Sequence, residues 1–211
     1  MALLWVVILG RKRRESRKGE LLHIIGRGHN KSYIYEDTMD KKQFLNLMEE
    51  QLEIYDFYLL YYALMDNHYH MLLEMGNDSI STIMQKLNQN YSQYYKKRYN
   101  KIGTIYGGRF LSRLVKNDAH LFRLLFYIAH NPVRAGIVKY PGEYRWSAHT
   151  AIRNNLNSIV AQERILHYFG QDREIARERY IITLIEDSDA LVITNEKQLE
   201  KDQQKITESL D

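Results

Sequence analysis

Apolar positions along this chain fall into blocks whose period changes from two to about four and back. Leu21-Leu-His-Ile-Ile25 is a short β-branched run ended by Gly26-Arg27-Gly28, which predicts a first strand and then a turn. From Asp40 to Tyr55, Phe44, Leu45, Met48, Leu52 and Tyr55 repeat at helical spacing, and Asp40 with Gln43 resembles a reciprocal N-cap. Residues 57–65 are continuously apolar or aromatic, as in a strand covered on both faces; Asp66-Asn67 then turns the chain into a second strand over 68–75 to make a hairpin. On that second strand His68, His70, Leu72 and Glu74 share one face and Tyr69, Met71, Leu73 and Met75 the other, because side chains alternate. The latter face is the candidate core, which leaves the histidines on a more open side.

Gly76-Asn-Asp-Ser79 breaks the strand, and Ile80, Ile83, Leu87, Tyr91 and Tyr94 mark a second amphipathic helix running to about Tyr99. Residues 100–108, with three glycines, form a loop; 109–115 predicts a fourth strand, and 119–130 a third helix closed by Pro132, which cannot continue it. The order β-α-β-β-α-β-α fits an α+β, ferredoxin-like sandwich with a four-stranded, mostly antiparallel sheet and one added helix. Beyond Trp146 the pattern shortens to helical pieces near 159–169 and 175–184, and from Asn195 onward it is polar, helical or disordered. The expected organisation is an apolar start and basic arm (1–18), a catalytic domain (19–146) and a helical, partly acidic C-terminal extension (147–211).

Composition narrows the chemistry. With 211 residues the chain can bury one real core, and with no cysteine it has neither disulfides nor thiolate nucleophiles, as expected of a cytoplasmic protein. Residues 186–211 hold eight acids and three lysines, so the net charge of +4 hides a body of +9. Cations interleaved with many of the 17 tyrosines suit phosphate contact and base stacking, although charge alone leaves a solvated tyrosine-rich surface open. The apolar run Met1–Leu9 is too short to cross a bilayer and its basic cluster follows rather than precedes it, so no membrane partner is expected and an upstream start codon is the simpler account.

Two elements carry candidate chemistry. His68-Tyr69-His70 puts two imidazoles on one strand face, a geometry that suits adjacent ligands of one metal ion, and Tyr127 and Asn131, four apart, share one face of a helix. Without thiolates, a set of His68, His70 and Asn131 favours Mg²⁺ or Mn²⁺ with open positions for water and a phosphate oxygen. Tyr127 is a candidate nucleophile whose attack on phosphorus would conserve the bond in a covalent phosphotyrosine, with Glu74, His130 and a metal-bound water as candidate proton acceptors. Taken singly, each element has a plainer reading: a wet strand face, a packed tyrosine, an ordinary helix end.

The segments Gly26-Arg-Gly-His-Asn30, Ala63-Leu-Met-Asp-Asn-His-Tyr-His-Met-Leu-Leu-Glu74, Met84-Gln-Lys-Leu-Asn-Gln-Asn-Tyr91, Gly107-Gly-Arg-Phe110 and Tyr127-Ile-Ala-His-Asn-Pro-Val-Arg-Ala-Gly136 resemble the IS200-like Y1 transposases, most of all their REP-associated tyrosine transposase branch. The resemblance covers about Arg11 to Trp146. It implies a metal-dependent transposase and endonuclease that cleaves and rejoins single-stranded or hairpin DNA through a 5′-phosphotyrosine while releasing a 3′-hydroxyl. By motif match His68 and His70 are metal ligands, Tyr127 the nucleophile, and Asn131 the third ligand where many relatives have Gln. Tyr69 stands where the histidine motif usually has an aliphatic residue. Candidate DNA contacts are Arg11, Arg13, Arg14, Arg27, Arg109 and Arg113, with Tyr95 and Tyr106 as base-stacking rings. The competing reading is a domesticated protein that binds folded repeats without cutting; a ferredoxin-like RNA-binding module would instead carry aromatics where this face carries histidines. The resemblance allows a monomer or a homodimer.

Overall fold

A computed structural model describes residues 14–186. Four strands, β1 (Leu21–Arg27), β2 (Phe57–Met65), β3 (His68–Met75) and β4 (Leu111–Leu114), form one sheet in the order β2-β3-β1-β4, every neighbouring pair antiparallel. With α1 (Thr38–Ile54) after β1, α2 (Ile80–Tyr99) after β3 and α3 (Asp118–Arg134) after β4, this is the expected α+β, ferredoxin-like arrangement. Three further helices follow: α4 (Ala148–Arg153), α5 (Gln162–Leu166) and α6 (Arg173–Glu186).

On one sheet face Tyr69, Met71 and Leu73 pack beneath α1 and α2, where the rings of Phe44, Tyr69 and Tyr91 meet within 5.3 Å of one another in successive pairs. The two helices are joined at one end by Asp40, which is wholly buried in α1 and accepts the hydroxyls of Tyr94 and Tyr99 as well as the Arg98 guanidinium from α2. A buried carboxylate is tolerable only with such partners. The N-cap lies three residues earlier than the sequence suggests: Asp37 accepts the backbone N–H of Met39 and Asp40, and Asp40 reaches back to Glu36.

The other face is not open. It is roofed by α3 and by α4–α6, so that Leu72, Tyr61 and Ala63 are as fully buried as the opposite face and His70 is 3% exposed. The extension is held there by a buried chain of polar groups: the Tyr61 hydroxyl on β2 meets that of Tyr180 on α6 at 2.8 Å, and His149 Nδ1 on α4 lies 2.8 Å from the same Tyr180 oxygen. The alternation on β3 separates the two faces correctly; what it could not reveal is that residues from more than fifty positions downstream cover the second one.

Strand ends also differ from expectation. β1 continues through Gly26 to Arg27, because Gly26 pairs with Tyr69 and a Cβ there would stand 2.2 Å from the tyrosine ring. The bulky centre of the histidine motif is accommodated by the glycine opposite it. β4 is shorter than 109–115, and α3 does not stop before Pro132: the proline forfeits one backbone bond, Ala135 N–H still reaches Asn131, and Gly136 at φ +68° ends the helix. The polar segment beyond Asn195 lies outside the described residues.

Candidate active site

Antiparallel register gathers the polar groups of the roofed face at one end of the sheet. Arg27 sits opposite His68, His70 opposite Ile25, and His23 opposite both Leu72 and Arg113, so His23, His68, His70, Arg27 and Arg113 all lie on the side that faces α3. From α3, Tyr127, Asn131 and Arg134 project toward the same place, as positions i, i+4 and i+7 of one helix do. The Tyr127 ring, half-buried, meets His70 edge-on with centroids 5.2 Å apart.

Hydrogen bonds set the orientation of the groups. Asn67 donates its amide to the Lys31 carbonyl, which turns its Oδ1 toward His68 Nδ1 at 2.6 Å. The shorter contact favours the His68 proton on Nδ1; in that tautomer Nε2 is a lone pair, 3.2 Å from Asn131 Oδ1. The Asn131 amide also faces the Tyr127 hydroxyl and favours its ionised form. One carboxamide therefore addresses the phenol with its nitrogen and His68 with its oxygen. His70 is engaged at Nδ1, 3.0 Å from His23 Nε2.

Burial keeps the imidazoles neutral: it lowers His68 to about 4 and His23 to about 3, with neighbouring cations acting in the same direction, and takes His70 well below its ordinary value. Burial also raises the Tyr127 phenol, against which Arg134, Arg27, Arg113 and the Asn131 bond all act. The Arg134 guanidinium lies 5.6 Å from the Tyr127 ring centre, in cation–π range.

Two neutral imidazoles and an amide oxygen are acceptable donors for a divalent cation, and His68 Nε2 and Asn131 Oδ1, 3.2 Å apart, stand close enough to serve one ion together. Among the described residues no group of three His, Cys, Asp or Glu side chains is arranged to hold a metal.

The family model of IS200-like transposases matches residues 18–130, more than half of the chain. The chain belongs to the IS200-like transposase family. Among solved structures, a REP-associated tyrosine transposase bound to a REP hairpin is similar to this transposase with a TM-score of 0.59, over 72% of this chain and 90% of that one, at 18% identity. At that identity the likeness is one of fold. A search of curated proteins finds no match. No helix among the described residues of this IS200-like transposase is long and apolar enough to cross a membrane.

The structure thus brings His68, His70, Tyr127, Asn131, Arg27 and Arg113 together. It sets other candidates apart. Tyr95 and Tyr106 are only 3% and 8% exposed: the first packs between Tyr91 and Tyr99 with its hydroxyl on Glu36, the second against Tyr69, so neither presents a ring to a base. Tyr95 was misplaced because the buried stripe of α2 is wide enough to include both i and i+4 of Tyr91. Two candidate proton acceptors are elsewhere as well: Glu74, six residues along β3 from His68, is paired with Arg164, and His130 stacks on Phe126 with Nδ1 at the Phe126 carbonyl. Arg14 lays its guanidinium 4.5 Å from the Phe110 ring centre beside the first turn of α2, and Arg109 is exposed just before β4. Arg11 and Arg13 lie outside the described residues. Sequence reasoning did not assign His23 to the site and read Arg134 as a basic residue or a cap of the helix end; the available signals were one imidazole inside an aliphatic strand and a cation seven residues beyond the tyrosine.

Proposed function

We propose that this protein cleaves and rejoins single-stranded or hairpin DNA, with Tyr127 as nucleophile and His68, His70 and Asn131 as ligands of Mg²⁺ or Mn²⁺. The observation that carries it is the placement of the Asn131 carboxamide between the Tyr127 hydroxyl and His68 Nε2. A divalent cation bound there supplies Lewis-acid polarisation of a phosphate oxygen.

The chain's own residues do the rest. Tyr127 Oη forms a bond to phosphorus, the bond from phosphorus to the 3′-oxygen breaks, the phenolic proton is lost, and the departing oxygen takes up a proton to become a 3′-hydroxyl. The 5′-phosphate stays on the tyrosine, and attack by a 3′-hydroxyl reverses the step without hydrolysis. Arg27, Arg113 and Arg134 set a positive field around the hydroxyl, which draws in a phosphodiester and favours the phenolate against its burial. The Asn131 donor and the edge of His70 hold the ring, so that little reorientation is needed at attack. Glu74 is paired with Arg164 and His130 with the Phe126 carbonyl, which leaves water, free or metal-bound, as the proton acceptor. Kinship to the REP-associated branch makes a folded repeat the first substrate to try, with a monomer or a homodimer as the working species.

The test is a denaturant-stable protein–DNA adduct formed by the protein and its Tyr127→Phe variant on labelled hairpin DNA from the flanks of its own gene, with Mn²⁺ or EDTA. An adduct requiring both Mn²⁺ and Tyr127 is expected. An adduct that persists in Tyr127→Phe moves the nucleophile, and tight binding without any adduct favours a repeat-binding protein that does not cut.

A further inference from the structure

His23 has no part in the reaction above, yet it touches both halves of the site. Its ring is stacked on His70, 26° from parallel with centroids 5.2 Å apart, and meets Tyr127 edge-on at 6.4 Å and 73°. The two imidazoles are diagonal neighbours on β1 and β3, because His23 pairs with Leu72 and His70 with Ile25. His23 is 7% exposed, and among the described residues its hydrogen bond is to the ring of His70, Nε2 to Nδ1 at 3.0 Å.

One N–H lies between those two nitrogens, and its ownership decides what His70 can do. If His23 donated, His70 would carry its own proton on Nε2 and would point an N–H at the cation. If His70 donates, its Nε2 is a lone pair and a ligand. We propose that His23 is a positioning residue that accepts the Nδ1–H of His70 and thereby fixes the His70 Nε2 lone pair toward the divalent cation. This rests on the reading of His70 as a ligand. Metal-bound histidines generally hand their second N–H to a carboxylate or a carbonyl. A neutral imidazole does the same work without adding negative charge where the polyanionic DNA strand must dock.

The test uses His23→Gln, whose Oε1 reaches the place of Nε2 and can only accept from an N–H, and His23→Leu, which keeps volume and loses the acceptor. Nitrogen-15 NMR of ring-labelled histidine on the metal-free protein reads the His70 tautomer, and titration of free Mn²⁺ followed by electron paramagnetic resonance reads affinity. The expected result is an Nδ1–H tautomer in the wild type and in His23→Gln, loss of that preference in His23→Leu, and Mn²⁺ binding weakened about 10- to 100-fold in His23→Leu only. A folded His23→Leu protein with unchanged tautomer and affinity overturns the proposal, as does His23→Gln falling as far as His23→Leu. A wild-type His70 protonated on Nε2 overturns it even if His23→Leu fails to fold. Wild-type protein that binds no Mn²⁺ while keeping the His23-dependent tautomer overturns the ligand reading instead.

Discussion

His68 Nε2 and Asn131 Oδ1 stand 3.2 Å apart, while the other ring nitrogen of His68 lies closer, at 2.6 Å, to Asn67 Oδ1. With the His68 proton on the Asn67 side, Nε2 and Asn131 Oδ1 oppose two lone pairs, which a cation would relieve. Mn²⁺ at about a hundred times its dissociation constant should therefore stabilise the fold by about 2.7 kcal/mol. The melting temperature in Mn²⁺ against EDTA should rise by several degrees, and His68→Ala and Asn131→Leu should lose the rise. A wild-type melt indifferent to Mn²⁺ would sink the shared-ligand reading.

Arg134 sits over the Tyr127 ring at 5.6 Å and favours the phenolate. Removing one preorganised donor from a transition state costs on the order of a hundredfold in rate. Arg134→Ala should slow single-turnover adduct formation by that order with little change in folding, and Arg134→Lys should recover only part, since an ammonium lacks the planar fork. Equal rates for Arg134→Ala and the wild type would assign Arg134 to the helix end alone.

Gly26 and Tyr69 are a matched pair. An alanine at Gly26 would place its Cβ 2.2 Å from Tyr69 Cζ in a core that cannot yield easily, so Gly26→Ala should destabilise by about 1–3 kcal/mol. Replacing the ring as well, in Gly26→Ala with Tyr69→Leu, should recover much of that loss. Urea unfolding of the four members of the cycle measures the coupling, and strict additivity would contradict it.

Most of the fold can be read from the sequence because its signals are local. The strands at 57–65 and 68–75, the turn between them and the helical stripe of α2 each carry their own period, and the i to i+4 spacing of Tyr127 and Asn131 already puts the proposed nucleophile and the amide on one face. Less legible were features set by distant contacts. The burial of His70 depends on helices from residues far downstream, the straight run of β1 through Gly26 depends on a ring two strands away in sequence, and the seclusion of Tyr106 depends on its pairing with Gly28. His23 reads as an anomaly in an aliphatic strand until the register sets it beside His70.

The latch of the C-terminal helices is pH-sensitive. Burial lowers His149 to about 4, below its value in the unfolded chain, so between about pH 6.5 and 4 the unfolded state binds the extra proton and stability falls as pH falls. Above that window the contribution is constant. In metal-free protein the unfolding free energy should drop with acidification by up to about 1.4 kcal/mol per pH unit for each such histidine. His149→Asn, which keeps a group where Nδ1 meets Tyr180, should flatten the slope by about one proton; an unchanged slope would place the titration elsewhere.

Covering the sheet on both sides has a consequence for traffic. In a sandwich with a bare face a nucleic acid can lie down across the strands, but here each face is already the underside of helices. What remains is the rim, where β1 ends at Arg27, β3 begins at His68 and α3 runs out through Asn131 and Arg134. If Tyr127 attacks DNA as proposed, the strand would have to bend in over that lip, a manoeuvre for which a loop, a nicked end or the foot of a hairpin is far more pliant than a straight duplex.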